Sequence, residues 1–414
     1  MNKMKLVRIF GMNTQLLSKI NTNIALQYES RLMISKLSHT IRLQFIILAL
    51  FISGFTFANV TAAETGAPQQ EAGHAEKKSF DAGEMIIDHI TDAHEWHILT
   101  YNHFHLSIPL PVILIDNGKL VTFCSSHFHH GTEAYNGYKL MTEGENKGKI
   151  VKVLEDGETI DTSAKIPLDF SITKNVVSLF ISIILLCVVF ISIGNRYKKN
   201  PDTAPKGLQS LLEPIILFVR DDIAIPGLGK NKYERFMPFL LTVFFFIFFN
   251  NMLGLIPIFP GGANLTGNIA VTMVLALFTF VITTFIGNKD YWKHIFNAPG
   301  VPWWLKFPIP LMPVVEFVGV ITKPFVLMVR LFANMTAGHI ILLGFMSLIF
   351  IFGSMNVAIG YGVSVFSIAF GVFMTLLELL VAFIQAYVFA LLSAIYFGMA
   401  TEEHGHAEEH SVEH

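Results

Sequence analysis

ITKPFVLMVRLFANMTAGHIILLGFMSLIFIF, residues 321–352, holds one arginine, Arg330, in the middle of an otherwise apolar run. The hydrocarbon core of a bilayer needs about 20 apolar residues to cross, and this run supplies more. An arginine at the bilayer centre costs roughly 2.5–3.5 kcal/mol on insertion scales. A charge kept at that cost is by default functional.

The rest of the chain agrees with a membrane reading. Of its 414 residues 52% are hydrophobic and only 14% charged, against roughly 25% charged in a soluble domain. The net charge of −2 averages basic loops with an acidic tail and decides nothing. It calls for no nucleic-acid partner. Two cysteines, Cys124 and Cys187, cannot build a disulfide framework, and Cys187 lies inside an apolar span. The apolar stretch LQFIILALFISGFTF, residues 43–57, follows Arg31, Lys36 and Arg42 and precedes Val60-Thr61-Ala62-Ala63. Basic flank, short apolar core and small-residue exit predict a secretory signal over residues 1–63, with Met33 as a candidate true start. An uncleaved extra helix is the alternative.

Loop charges predict the topology. A polar region follows at 64–170, where PLPVILID and GKLVTFC flank Asn117-Gly118 and KGKIVKVLEDGETI comes later. These read as strands of a small β-rich extramembrane unit. Spans are expected at 172–194, 236–258, 268–287, from near Pro313 to 352, and from 363 to about 400. Lys and Arg cluster after the first and third spans, while PGGANLTGN and GSMNVAIGYG carry none. That alternation places the N-terminus outside and the C-terminus inside. The stretch 207–225 is too polar and short to span and predicts a helix lying at the cytoplasmic face. The phenylalanines of FLLTVFFFIFFN read as lipid-facing and packing residues. The fold class is therefore an all-α polytopic membrane protein of five helices with a small β-rich N-terminal unit.

The last two spans are long. Residues 313–352 would make a helix of about 60 Å, twice the hydrocarbon thickness of roughly 30 Å. A strongly tilted helical hairpin is expected, turning near residue 358 in the segment Gly353–Gly362. Positions whose numbers add to about 716 then lie level, which pairs Arg330 with Gln385 and His339 with Glu378. Glu316, Lys323, Arg330 and Asn334 are spaced by seven, seven and four, one stripe of a helix. His339, nine residues past Arg330, falls on the opposite side. One face thus carries a fixed cation and another a titratable pair, which points to an ion route bending around the arginine. Blander readings are a structural Arg330–Glu378 ion pair, a packed histidine and a buried neutral acid. Glu316 and Lys323 read equally as solvated anchors near the cytoplasmic end.

Sixteen histidines are present, nine of them from His74 to His130. His94 with His97, and His127 with His129, have spacings compatible with zinc, but no cysteine or carboxylate pattern completes a site. A solvated, proton-buffering surface is the competing reading. The tail EEHGHAEEHSVEH reads as a charged, disordered end.

Leu327-Met328-Val329-Arg330-Leu331-Phe332-Ala333-Asn334-Met335, with Ala337-Gly338 just after, resembles subunit a of the membrane sector of F-type ATP synthase. So do Ile384-Gln385-Ala386-Tyr387-Val388-Phe389, Tyr396, Glu402-Glu403-His404, and upstream Asn251-Met252-Leu253-Gly254-Leu255-Ile256-Pro257. The resemblance covers about 165–404 and leaves the longer N-terminal part outside it. It implies a non-catalytic subunit of a bacterial inner membrane with no cofactor. Its expected partners are a c-subunit ring, a b-subunit peripheral stalk and the soluble F1 sector. With the topology from the loop charges, the expected division is a His-rich periplasmic region at 64–170, a subunit a transmembrane domain at 171–404 and a cytoplasmic tail at 405–414. Arg330 would face the ring carboxylates and separate two aqueous half-channels, with Asn334 and Gln385 lining the contact. His339 and Glu378 would belong to the outer half-channel. In the enteric type acid and histidine stand the other way round at these two positions. Gly254 replaces a carboxylate of some members, which puts proton conduction there in doubt, and Asn251 remains a lining candidate. The rival classes are a secondary cation or metal transporter and a structural scaffold; a transporter predicts internal repeats, and none is visible.

Overall fold

The computed structural model describes residues 80–101, 104–144, 146–199, 204–256, 261–296 and 311–402. The expected signal segment and charged tail lie outside these residues, and so do the side chains of residues 97–101 and 104–106.

The N-terminal region begins with α1, Ala82–Ile90, which Asp81 caps by accepting from the amides of Gly83 and Glu84. Strands β1 (Glu95–Tyr101) and β2 (Phe104–Pro109) form an antiparallel pair. Strands β3 (Pro111–Asp116) and β4 (Lys119–Cys124) form the expected hairpin. Its two-residue turn holds Asn117 at φ 50° and Gly118 at φ 79°, the left-handed pair that a tight hairpin needs. A 3₁₀ turn at Ser125–Gly131 follows. Strands β5 (Tyr138–Leu140) and β6 (Ile150–Lys152) pair with each other, and β7 (Leu168–Asp169) joins the free edge of β3. Val112, Leu114, Phe128, Tyr138 and Ile150 form the small core. Sequence patterning missed α1, because a nine-residue helix offers barely two turns of periodicity.

Among the described residues five helices are long and apolar enough to cross a membrane. They are α2 (Lys174–Lys199), α5 (Tyr233–Leu255), α6 (Ile269–Ile286), α8 (Leu311–Met355) and α9 (Val357–Thr401). A short α7, Lys289–Phe296, follows α6. Between α2 and α5 run α3 (Leu208–Phe218), a π-helical turn (Val219–Ala224) and α4 (Ile225–Leu228). This is the helix expected at 207–225. Its apolar residues Leu212, Ile216, Val219 and Ile223 are buried, and the π turn and α4 pack on α5 and α9. Glu213, buried with them, accepts from the Tyr197 hydroxyl at 2.6 Å.

Helix α5 is central. Phe244, Phe245 and Phe246 are fully buried, so this part of the phenylalanine run supplies the packing residues expected of it. Against α5 lies a face of α9 in which Ala382, Ala386, Ala390 and Ala394 are all at 0% exposure. Small residues every fourth position let helix axes approach where hydrophobicity itself gives no drive.

Helices α8 and α9, 45 residues each, form an antiparallel hairpin. The turn is Asn356, two residues before the expected centre. Its extended backbone (φ −156°, ψ 126°) breaks the helix, and its side chain accepts from the Ala358 amide to start α9. The glycines beside it serve close approach: a Cβ on Gly360 would stand 2.7 Å from Gly353 Cα. Deeper in the hairpin Phe345 meets Phe370 with ring centroids 3.9 Å apart, close to the level pairing expected from sequence.

The α4–α9 contact is backbone on backbone, since a Cβ on Gly398 would collide with the Gly227 carbonyl oxygen. Gly398→Val therefore destabilises the protein by about 1–3 kcal/mol, read as a lowered melting temperature in detergent. Gly362→Val, where nothing lies within 4 Å, leaves it unchanged.

Candidate proton-handling site in the helical hairpin

His339 on α8 and Glu378 on α9 meet inside the hairpin, Nδ1 to Oε1 at 4.0 Å, with both residues buried. Helix α8 comes this close to the carboxylate because it presents Gly338: a Cβ there would stand 2.5 Å from Glu378 Oε1. His339 Nδ1 lies 3.1 Å from the Met335 carbonyl oxygen. A carbonyl only accepts, so this contact holds the proton on Nδ1 and leaves Nε2 as the acceptor. Nε2 faces α5 at Gly254, where a Cβ would be 3.9 Å away.

Around this pair the chain gathers amides and hydroxyls. Asn251, wholly buried, accepts from the Thr266 hydroxyl at 2.5 Å. Asn264 accepts from the Gly267 amide at 3.0 Å, and Thr336 on α8 donates to the Gly267 carbonyl at 3.4 Å. Asn250 Oδ1, Asn251 Nδ2, Asn264 Nδ2 and both Glu378 oxygens are buried with no hydrogen-bond partner among the described residues. Each such group costs about 1–3 kcal/mol if left unsatisfied. Their concentration on one side of the hairpin gives mobile protons or water something to bond.

Arg330 and Asn334 lie on the open side of α8 and are exposed. Their exposed neighbours Phe325, Val326 and Val329 are apolar. Among the described residues Arg330 has no hydrogen bond and no ion pair. The structural Arg330–Glu378 ion pair is not formed, since Glu378 faces His339 instead. Gln385 is buried on α9. Glu316 and Lys323 are half-buried, and Lys323 Nζ sits 5.5 Å from the centre of the Tyr396 ring. Arg330 and Asn334 thus share the open side of α8, whereas Glu316 and Lys323 turn partly inward. Sequence reasoning missed Gly338, Asn250, Asn264 and Thr266, whose roles depend on which helix lies opposite.

The extramembrane histidines have separate partners. His94 Nε2 is 2.7 Å from Asp169 and His130 Nδ1 is 2.6 Å from Glu95. His127 lies on the Cys124 carbonyl, and His129 is 3.7 Å from Glu133. The side chain of His97 is outside the described residues. Among the described residues no group of three or more His, Cys, Asp or Glu is disposed to hold a metal. Among the described residues neither Cys124 nor Cys187 is in a disulfide.

Five apolar helices, a few small sheets and buried ionisable groups in the last two helices define a multi-pass membrane protein built for ion transport. Residues 176–398 match the family described as ATP synthase A chain, and residues 85–170 match a domain of unknown function, DUF8433. ATP synthase subunit a of Myxococcus xanthus is 46% identical over 269 residues, 64% of this chain and 84% of that protein. Subunit a of Chloroherpeton thalassium is 44% identical over 255 residues, 58% of this chain and 72% of that one. ATP synthase subunit a 2 of Prosthecochloris aestuarii is 36% identical over 366 residues, 87% and 92% of the two chains. The chain belongs to the subunit a family of the F-type ATP synthase, a component of the membrane sector of that complex.

The unsatisfied amides generate a prediction in which stability and transport separate. Asn251→Leu with Thr266→Val removes both partners of a buried bond and one orphan donor, so the melting temperature stays level or rises. Ion transport through the complex falls. A clear loss of stability with unchanged transport contradicts the reading of these groups.

Proposed function

We propose that this chain is the stator of proton transport, with two aqueous half-channels separated by Arg330. The single observation that carries the proposal is a guanidinium that cannot deprotonate, exposed on an apolar helix face with no acid paired to it among the described residues. Facing lipid, such a charge costs several kcal/mol. Facing a passing carboxylate from a ring of small membrane subunits, it is satisfied, and it favours the ionised form of that carboxylate. A ring carboxylate reaching Arg330 gives up its proton to one half-channel. No proton can cross directly to the other, because the fixed charge repels it.

In this mechanism protons come from the periplasm past the Asn251 cluster to His339 and Glu378. His339 Nε2 takes a proton, Glu378 relays it to a ring carboxylate, and Asn334 and Gln385 line the sliding contact. After nearly a full rotation the proton leaves on the cytoplasmic side, near Glu316 and Lys323. Moving one proton through 100 mV is worth roughly 2.3 kcal/mol, so several serve each ATP. The 45-residue hairpin helices are about 67 Å long, which a core of roughly 30 Å accommodates by strong tilt along the ring. The N-terminus is periplasmic behind a cleaved signal, the C-terminus is cytoplasmic, and the membrane is the bacterial inner membrane. A b-subunit stalk and the F1 sector complete the assembly, and catalysis takes place in F1.

Arg330→Ala abolishes ATP-driven pumping in reconstituted complex and opens a passive proton leak; normal coupled synthesis in that variant contradicts the assignment. The exchange His339→Glu with Glu378→His retains more synthesis than either single change. A double variant worse than both singles shows that the two residues are not a coupled pair. Gly338→Ala pushes the Glu378 carboxylate away from α8 and slows synthesis without loss of assembly.

A further inference from the structure

We propose that the extramembrane region, residues 80–170, is a proton-collecting vestibule that draws protons from the outer solution and delivers them to His339 and Glu378. The proposal rests on the reading of those two residues as the loading route.

A cavity of about 480 Å³ lies between this region and the start of α2. Three acid–base pairs surround it: His94 with Asp169 at 2.7 Å, His130 with Glu95 at 2.6 Å, and Lys147 with Asp88 at 2.9 Å. Fold stability does not require a polar cavity of this size. A ring of groups that bind and release protons enlarges the capture area for a scarce ion, because a proton taken up anywhere on it transfers between neighbours faster than it returns to bulk.

Asp92 differs from the other carboxylates of the cavity. It has no ion-pair partner among the described residues and accepts instead from the Thr173 hydroxyl at 2.7 Å and the amides of Asn175 and Ala93, each at 3.0 Å. Asp92 keeps access to solvent in the cavity, yet the protein packed around it pushes its carboxyl above the ordinary range, against those bonds and the nearby charges of Lys174 and His94. Asp92 therefore takes up a proton more readily than a solvated aspartate. Asp169 goes the other way: enclosure raises it, but the His94 hydrogen bond and charge, with the Ser171 bonds, hold it below the ordinary value. The two acids offer different affinities within one cavity, as a stepwise transfer requires.

The path from cavity to hairpin is short. Asp92 bonds the start of α2, where Lys174 Nζ donates to the His89 carbonyl at 3.3 Å. Asn175 beside it holds a buried Oδ1 with no partner among the described residues. His89 ends α1 within electrostatic reach of His339. Helix α1 itself packs on α8, with Phe80 against Phe350 at 5.2 Å between ring centroids.

The test uses whole ATP synthase in proteoliposomes with the periplasmic face toward the lumen, where an acid lumen drives ATP synthesis. Asp92→Asn and His94→Gln each lower the initial rate several-fold in a weakly buffered lumen near neutral pH. A strong lumenal buffer or a more acid lumen restores the unmodified rate, because mobile buffer replaces the collecting surface. Unmodified rates in every lumen overturn the proposal, and so does a uniform loss that no buffer restores, which marks a structural role. Thr91→Cys, with Cys124 and Cys187 replaced by serine and alanine, avoids dependence on folding of those variants. A bulky lumenal thiol reagent then fills the cavity after assembly and stops synthesis until a reductant removes it; a labelled complex that runs at the unlabelled rate overturns the proposal. Glu378→Gln is assayed alongside: full activity there defeats the loading route itself, whereas inactive Glu378→Gln with insensitive cavity variants defeats only the vestibule.

Discussion

A permanent positive charge on the open apolar face of α8 is the constraint around which this protein is arranged. Elsewhere in the membrane part, most buried polar groups find partners within the chain, as the hydroxyls of Thr242, Thr279 and Thr283 do by bonding backbone carbonyls of their own helices. Arg330 does not. The chain has an acid in the same hairpin, Glu378, and turns it toward His339 instead. A buried Arg–Glu pair would satisfy both groups and would also silence them. Keeping them apart leaves one charge for a partner outside the chain and one carboxylate free to exchange a proton.

The packing follows from that separation. Two long helices must hold different chemistry on opposite sides without shifting register. Ala382, Ala386, Ala390 and Ala394 key α9 against α5, and Gly398 locks its C-terminal end onto α4. Gly338 then sets how near α8 comes to Glu378. Small residues here are instruments of distance. The hairpin is closely packed where His339 and Glu378 meet, and it exposes apolar side chains on the face that carries Arg330.

Much of this was legible in the sequence. Apolar runs and loop charges marked the five helices to within a few residues, because span length and charge asymmetry are local properties. The level pairing of His339 with Glu378 followed from folding a helix back on itself, and it survived a turn found at Asn356 instead of residue 358. The cap mattered more than the glycines: an asparagine that bonds the next amide starts a helix more decisively than a flexible segment ends one. Which of the α5 phenylalanines are the buried ones, Phe244–Phe246, was not legible, since aromatic residues look alike whether lipid or protein covers them. Gly338, Asn264 and Thr266 were hidden for a similar reason. Their importance lies in what stands opposite, and no local pattern encodes that. The cavity beside α1 was equally out of reach, being lined by groups far apart along the chain.

The central claim, that Arg330's face of α8 slides against a ring carboxylate, is tested most directly by proximity. Asn334→Cys, in a chain whose own two cysteines are replaced, is oxidised against ring subunits carrying a cysteine one helical turn from their carboxylate. The account predicts a disulfide-linked product from Asn334→Cys and none from Leu185→Cys, which is exposed on the distant helix α2. A product from Leu185→Cys with none from Asn334→Cys would contradict it.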